Sequence, residues 1–263
     1  MQKIDPSSVR LVDGFKIRCT MDSDFAIFHC HSTSASLFCP KYYIPQGEWW
    51  LDERFRAEKG FLIKAENLEF SRPASIRREP TRRLYVKQHM IERGKIPPFV
   101  LRKERRRGVH VMIVDGSIVR RHIDPEFVFG GHDFVYSYIP KGQIWLEDCM
   151  NPKEIPFVFE HEFLERRLMS KGKDYDNAHE YATIADREAR RRFGIGCFPG
   201  DAKYLWARMP NKDIAKKFYV KSALHLHADP TQHSGAEAHD AFSQTTTPVW
   251  EGIFRKTLNL FGK

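Results

Sequence analysis

His161, Glu162 and Glu165 fall within five residues of the segment N151-P-K-E-I-P-F-V-F-E-H-E-F-L-E-R-R-L-M-S-K-G172, and His179 follows a short turn later. A histidine and a carboxylate four positions apart stand one turn apart on one face of a helix. That spacing lets two side chains grip one ion. Projected at about 100° per residue, the apolar stripe of Phe157, Val158, Leu164, Leu168 and Met169 also contains His161 and Glu165. A carboxylate inside an apolar stripe must be paired, protonated or bound to a cation, because burying it alone is costly. Glu162 falls at the edge of the stripe, where a general base acting on a metal-bound water would stand.

Two helices must position these groups. Asn151 and Glu154 have capping-box spacing, Pro152 and Pro156 lie near the start, and Gly172 falls where a left-handed C-cap belongs. The next segment, D174 to F193, aligns Ala178, Ala182, Ala185 and Ala189 with Tyr175 and Phe193, flanked by His179 and Asp186. Small residues permit close packing, and the Gly172-Lys173 turn predicts an antiparallel pair that brings His179 toward His161 and Glu165. The expected site has metal ligands His161, Glu165 and His179 around a divalent ion, zinc above all, with an open position for water. Glu162 is its expected catalytic base. Asp186 and Tyr175 are candidates to orient a ligand or stabilise developing charge, and His132, in a Gly130-Gly131-His132 loop, reads as a further ligand or substrate contact or as a turn histidine capping a strand. The same cluster would also serve as a buried hydrogen-bonded tie between two helices, with Arg166 or Arg167 compensating its charge.

The segment H161-E-F-L-E165 resembles the H-E-x-x-H helix of the zincin metallopeptidases, with Glu165 in place of the second histidine. The longer order of D-G, Y-I-P-K-G, H-E-x-x-E, M-x-x-G and Y-x-x-A-H is similar to small uncharacterised proteins of bacteria and their phages. The zincin likeness implies hydrolysis, with a peptide or amide as substrate.

At 263 residues the chain can bury a real core. It has no run of eighteen apolar residues, and M-Q-K-I-D-P-S-S-V-R lacks a signal peptide's apolar region, so a cytoplasmic protein with no membrane association is expected. The five cysteines form no C-x-x-C pair, which suits reduced thiols. Cys19, His29, Cys30, His31 and Cys39 are dense enough to form a second zinc cluster, although their spacing matches no standard finger.

Two stretches of the chain resemble each other. V12-D-G-F-K-I-R18, F25, Y43-I-P-Q-G-E-W-W-L51 and F61-L-I-K-A-E-N-L-E69 answer V114-D-G-S-I-V-R120, F127, Y138-I-P-K-G-Q-I-W-L146 and F157-V-F-E-H-E-F-L-E165. Each copy reads as a hairpin at Asp-Gly, a second hairpin at Pro-x-Gly, and then helices. The expected fold is α+β: an internally duplicated unit of two β-hairpins followed by helices, with a small antiparallel sheet and an antiparallel helix pair in the second copy. Residues 1–71 form a degenerate first repeat, 72–108 a basic connecting segment, 109–195 the second repeat with the metal site, and 196–263 an extension. Ala65 stands where the second copy has His161, so the first copy lacks the chemistry.

Residues 72–107 carry thirteen Lys plus Arg against three Glu, a net of +10 in a chain whose total is +9. Such local charge is what a phosphate-contacting patch requires, and Arg77, Arg78, Arg82, Arg83, Arg105, Arg106 and Arg107 are its strongest positions. This supports an alternative function, a noncatalytic accessory protein of bacterial or phage origin that binds nucleic acid or another polyanion. The extension holds the histidine-rich stretch H225 to H239, read as a flexible linker, and an amphipathic segment from Trp250 to Phe261, read as docking on the body or on a protein partner.

Overall fold

The computed structural model describes residues 3–20, 22, 25–31, 43–73, 75–76 and 79–192. The C-terminal extension lies outside the described residues, as do Arg77, Arg78, Cys39 and Cys197.

The chain is α+β. Strands β1 (Val9–Val12), β2 (Phe28–Cys30) and β3 (Trp49–Asp52) form a sheet in the order β1-β3-β2. A second sheet has β4 (Val100–Arg106), β5 (Val109–Val114), β6 (Gly130–His132) and β7 (Gln143–Glu147) in the order β4-β5-β7-β6. The helices are α1 (Gly14–Thr20), α2 (Lys59–Phe70), α3 (Glu79–Met90), α4 (Gly116–His122), α5 (Ile155–Met169) and α6 (Tyr175–Arg192). Two compact units divide the described residues. One holds those of Met1–Arg18 and Asp24–Met150, and the other those of Cys19–Ser23 and Asn151–Lys263. No helix among the described residues is long and apolar enough to cross a membrane.

Both sheets lie in the first unit, and both are mixed rather than antiparallel. β1 runs parallel to β3 while β2 runs antiparallel to it; β5 and β6 have the same relations to β7. The expected hairpins at Asp13-Gly14 and Asp115-Gly116 are absent, because each aspartate starts a helix. Asp115 accepts hydrogen bonds from the Ser117 and Ile118 amides, and Asp13 accepts one from Lys16. Their carboxylates satisfy amides that an N-terminal turn leaves without partners. The glycines are there for close approach: a Cβ on Gly14 would collide with the Asp52 carboxylate, and one on Gly116 with that of Glu147. The turns at Pro45 and Pro140 do lead into β3 and β7, with Gly47 and Gly142 at φ +84° and +82°.

The carboxylates against those glycines anchor buried arginines. Arg18 donates to Asp52 at 2.8 Å and to the Phe25 carbonyl at 3.2 Å. Arg120 donates to Glu147 at 2.9 Å, to the Phe127 carbonyl at 3.0 Å, and through Nε and Nη2 to Glu58 at 2.8 and 2.6 Å. Burial opposes the charge on Arg120; the Glu147 and Glu58 carboxylates outweigh it and keep the guanidinium ionised. Two hydrophobic clusters of the first unit are formed by Val9, Ile27, Leu51, Phe55 and Leu62, and by Met112, Val114, Val119, Phe127 and Trp145.

The basic segment is more than a connection. It contains α3 and β4, and β4 turns into β5 through Arg107 and Gly108, at φ +48° and +84°, forming the hairpin that the run of charges concealed.

Candidate metal centre

The second unit is built on α5 and α6. α5 begins at Ile155 with Pro156 in its first turn, where a missing amide costs nothing. The capping box at Asn151 is not formed. Glu154 is itself the N-cap residue, and its carboxylate instead accepts from Arg190 at 3.1 Å. Gly172 adopts φ +87° after the helix, as its C-cap position required. Glu165 meets His179, and Glu154 meets Arg190, so the helices run antiparallel.

Three donor atoms converge between them. His179 Nδ1 lies 2.8 Å from Glu165 Oε2, His161 Nε2 lies 3.2 Å from His179 Nδ1, and His161 Nε2 lies 3.5 Å from Glu165 Oε2. Nitrogen and oxygen ligands about 2.0–2.1 Å from a tetrahedral zinc stand about 3.3 Å apart, so the triangle has the size of one tetrahedral face. The three residues form a group with the chemistry to hold a metal ion. Glu165 is almost wholly enclosed, His161 is largely so, and the His179 side chain keeps 43% of its surface, which leaves the site open on that side.

Hydrogen bonding alone serves this triangle badly. If His179 Nδ1 donates to Glu165, that nitrogen has no lone pair left to accept from His161. Both imidazoles could instead donate to the carboxylate, but the three atoms then share one acceptor, whereas a cation engages all three. Burial, and then the negative charge of Glu165, push the Glu162 carboxyl well above the ordinary glutamate range.

The other expected contributors are placed differently. The Tyr175 ring stacks on His179, with centroids 5.4 Å apart. Asp186 is held by Arg190 Nε at 2.9 and 3.1 Å, in a buried cluster with Glu154 toward the opposite end of the helix pair. It therefore does not orient the histidines. Arg190 in turn lies over the Phe157 ring. His132 belongs to the first unit, where its Nδ1 accepts from the Phe134 amide in a tight turn. His29 accepts from the Ala26 amide and His31 donates to the Ile44 carbonyl, while Cys19 lies beside Arg190. Among the described residues these do not gather into a cysteine–histidine metal group.

In the first unit, Glu69, which stands opposite Glu165 in the alignment of the two similar stretches, is reached from the following helix by Arg82, thirteen positions on, as His179 lies fourteen on from Glu165. His89 packs at a tilt against the Tyr85 ring, with centroids 4.3 Å apart. A guanidinium thus stands against the Glu69 carboxylate where imidazoles stand against that of Glu165. Arg82 was legible only as one member of a charge run. Arg83 pairs with Glu126 at 2.9 Å, and Arg102 and Arg106 flank Glu104 at 2.8 and 2.6 Å.

Burial and then the neighbouring Glu69 raise Glu66 to about 7, against the pull of Arg82. A carboxyl raised on folding contributes stability that is full below its unfolded value and lost as pH rises through the folded one. Glu66→Gln is therefore expected to stabilise the protein at about pH 8.5 by on the order of 2 kcal/mol relative to its effect at about pH 5. Urea unfolding at both pH values checks this; equal effects at both would refute it.

No protein-family model, curated protein or solved structure matches the chain.

Proposed function

We propose that the protein is a metal-dependent hydrolase in which His161, Glu165 and His179 hold a divalent ion, zinc above all, and Glu162 acts as the general base. The observation that carries this reading is the donor triangle: two imidazole nitrogens and a carboxylate oxygen separated by 3.2, 2.8 and 3.5 Å, the size of one face of a zinc tetrahedron. Two imidazoles and one carboxylate with an open fourth position are the ligand set of catalytic zinc. The presence of Arg82 at the corresponding carboxylate supports it, since that location requires a positive charge in either unit. Glu162 follows the ligand His161 directly, as the base follows the first ligand in the zincin motif. Its elevated proton affinity suits a group that must accept a proton near neutrality. A peptide or amide substrate follows from the zincin likeness alone.

The finer reading of the fold belongs with this proposal. The Asp-Gly helix start, the buried arginine five residues on, the carbonyl it binds seven residues further, and the acid closing the last strand recur in both halves. One ancestral unit was duplicated, and one copy kept an arginine where the other uses a metal.

Elemental mass spectrometry of the purified, untagged protein tests the metal. About one ion per chain is expected in the wild type, and none in His161→Ala or His179→Ala. The C-terminal histidines should be removed in a parallel preparation to exclude adventitious binding. A folded wild-type protein without metal, after zinc is supplied and excess removed, would leave the triangle a structural tie.

A further inference from the structure

We infer that the β4–β5 hairpin is a docking surface for the phosphate backbone of duplex nucleic acid. Ion pairing divides the basic segment into two parts. Arg82 and Arg83 are engaged by Glu69 and Glu126, and Arg72 also lies against Glu69, so these three arginines of the helical part already have carboxylate partners. On β4, Arg102 and Arg106 both pair with Glu104, and these three alternate along one side of the strand. Lys103 and Arg105 alternate with them and point to the other side. Both are exposed, and among the described residues neither has an ion-pair partner.

The sheet register enlarges this surface. Arg105 pairs across the ladder with exposed His110, and His110 with Gln143. Paired residues in neighbouring strands share a face about 4.8 Å apart, so Arg105, His110 and Gln143 form a row across three strands. Exposed Arg107 stands at the hairpin tip, and exposed Lys141 precedes Gly142, whose carbonyl accepts from the His110 amide at 3.0 Å. One end of the sheet therefore gathers Lys103, Arg105, Arg107 and Lys141.

β4 is also the outermost strand of its sheet. A second copy is a poor occupant of that edge, since like charges would face each other across the new ladder. A polyanion is complementary to it. β4 and β5 carry no phenylalanine, tyrosine or tryptophan on which unpaired bases could stack, which favours a duplex over a single strand. Recognition through phosphates predicts little dependence on base sequence.

Fluorescence anisotropy with a labelled mixed-sequence duplex tests the assignment on the full chain. Four phosphate contacts give a salt slope of about −3.6, hence affinity falling on the order of a hundredfold between about 50 and 200 mM salt. The double variant K103E, R105E should bind at least tenfold more weakly at the lower salt and show a flatter slope. Lys64→Glu, an exposed reversal on α2, should change little. Circular dichroism confirms that each variant is folded. No duplex binding by the wild type at the lower salt, equal binding in the double variant, or tighter binding of a single strand would each overturn the proposal.

Discussion

Arg120→Ala is expected to cost the first unit about 3–5 kcal/mol, enough to unfold a marginal protein. Arg120 is fully enclosed, and its guanidinium is shared by Glu58, Glu147 and the Phe127 carbonyl. Removing it strands two carboxylates that are 6% and 0% exposed. Water cannot replace the lost donors without entering the core, and protonating both acids requires a large upward shift. Arg120→Lys should recover only part of the loss, because an ammonium cannot present two parallel donors to each acid. Substituting Glu58 by Gln in the Arg120→Ala background should partly restore stability by removing one stranded charge. Urea unfolding followed by tryptophan fluorescence measures this through Trp145, which packs in the same core. A loss below about 1 kcal/mol would mean that the pairs contribute little beyond a surface bridge.

Zinc should raise the stability of the chelator-treated protein by about 4 kcal/mol when the free ion exceeds its dissociation constant a thousandfold. The effect follows from binding to the folded state alone, since donors separated by up to eighteen residues converge only when α5 and α6 are paired. His161→Ala and His179→Ala should each remove most of the increment, while Glu162→Gln, which leaves the three donors in place, should retain it. Thermal unfolding with and without zinc reads this directly. An increment of the same size in His179→Ala would assign the stabilisation to another site.

Much of the candidate centre was legible because helical periodicity is a strong local signal. His161 and Glu165 are one turn apart, and Gly172 marked the turn that returns His179 beside them. The strands were harder to read. Asp-Gly suits both a tight hairpin and a helix start, and only the position of Glu147 against Gly116, twenty-seven residues from Arg120, distinguishes the two. Long-range contacts of that kind leave no mark within a short window. β4 was concealed for a related reason: L-R-K-E-R-R lacks an apolar alternation because it is an exposed edge, and its strand character comes from pairing with β5. The assignment of Arg82 to Glu69 likewise depends on how two helices meet, which composition cannot convey.

The contact between Arg190 and the thiol of Cys19 spans 171 residues of chain within the second unit. During synthesis at about 5–20 residues per second, Cys19 leaves the ribosome on the order of ten to thirty seconds before Arg190 exists. The donors of the candidate centre all lie within nineteen consecutive positions, 161 to 179, and need no such wait. The triangle can therefore close as soon as α6 emerges, with the N-terminal segment joining it last.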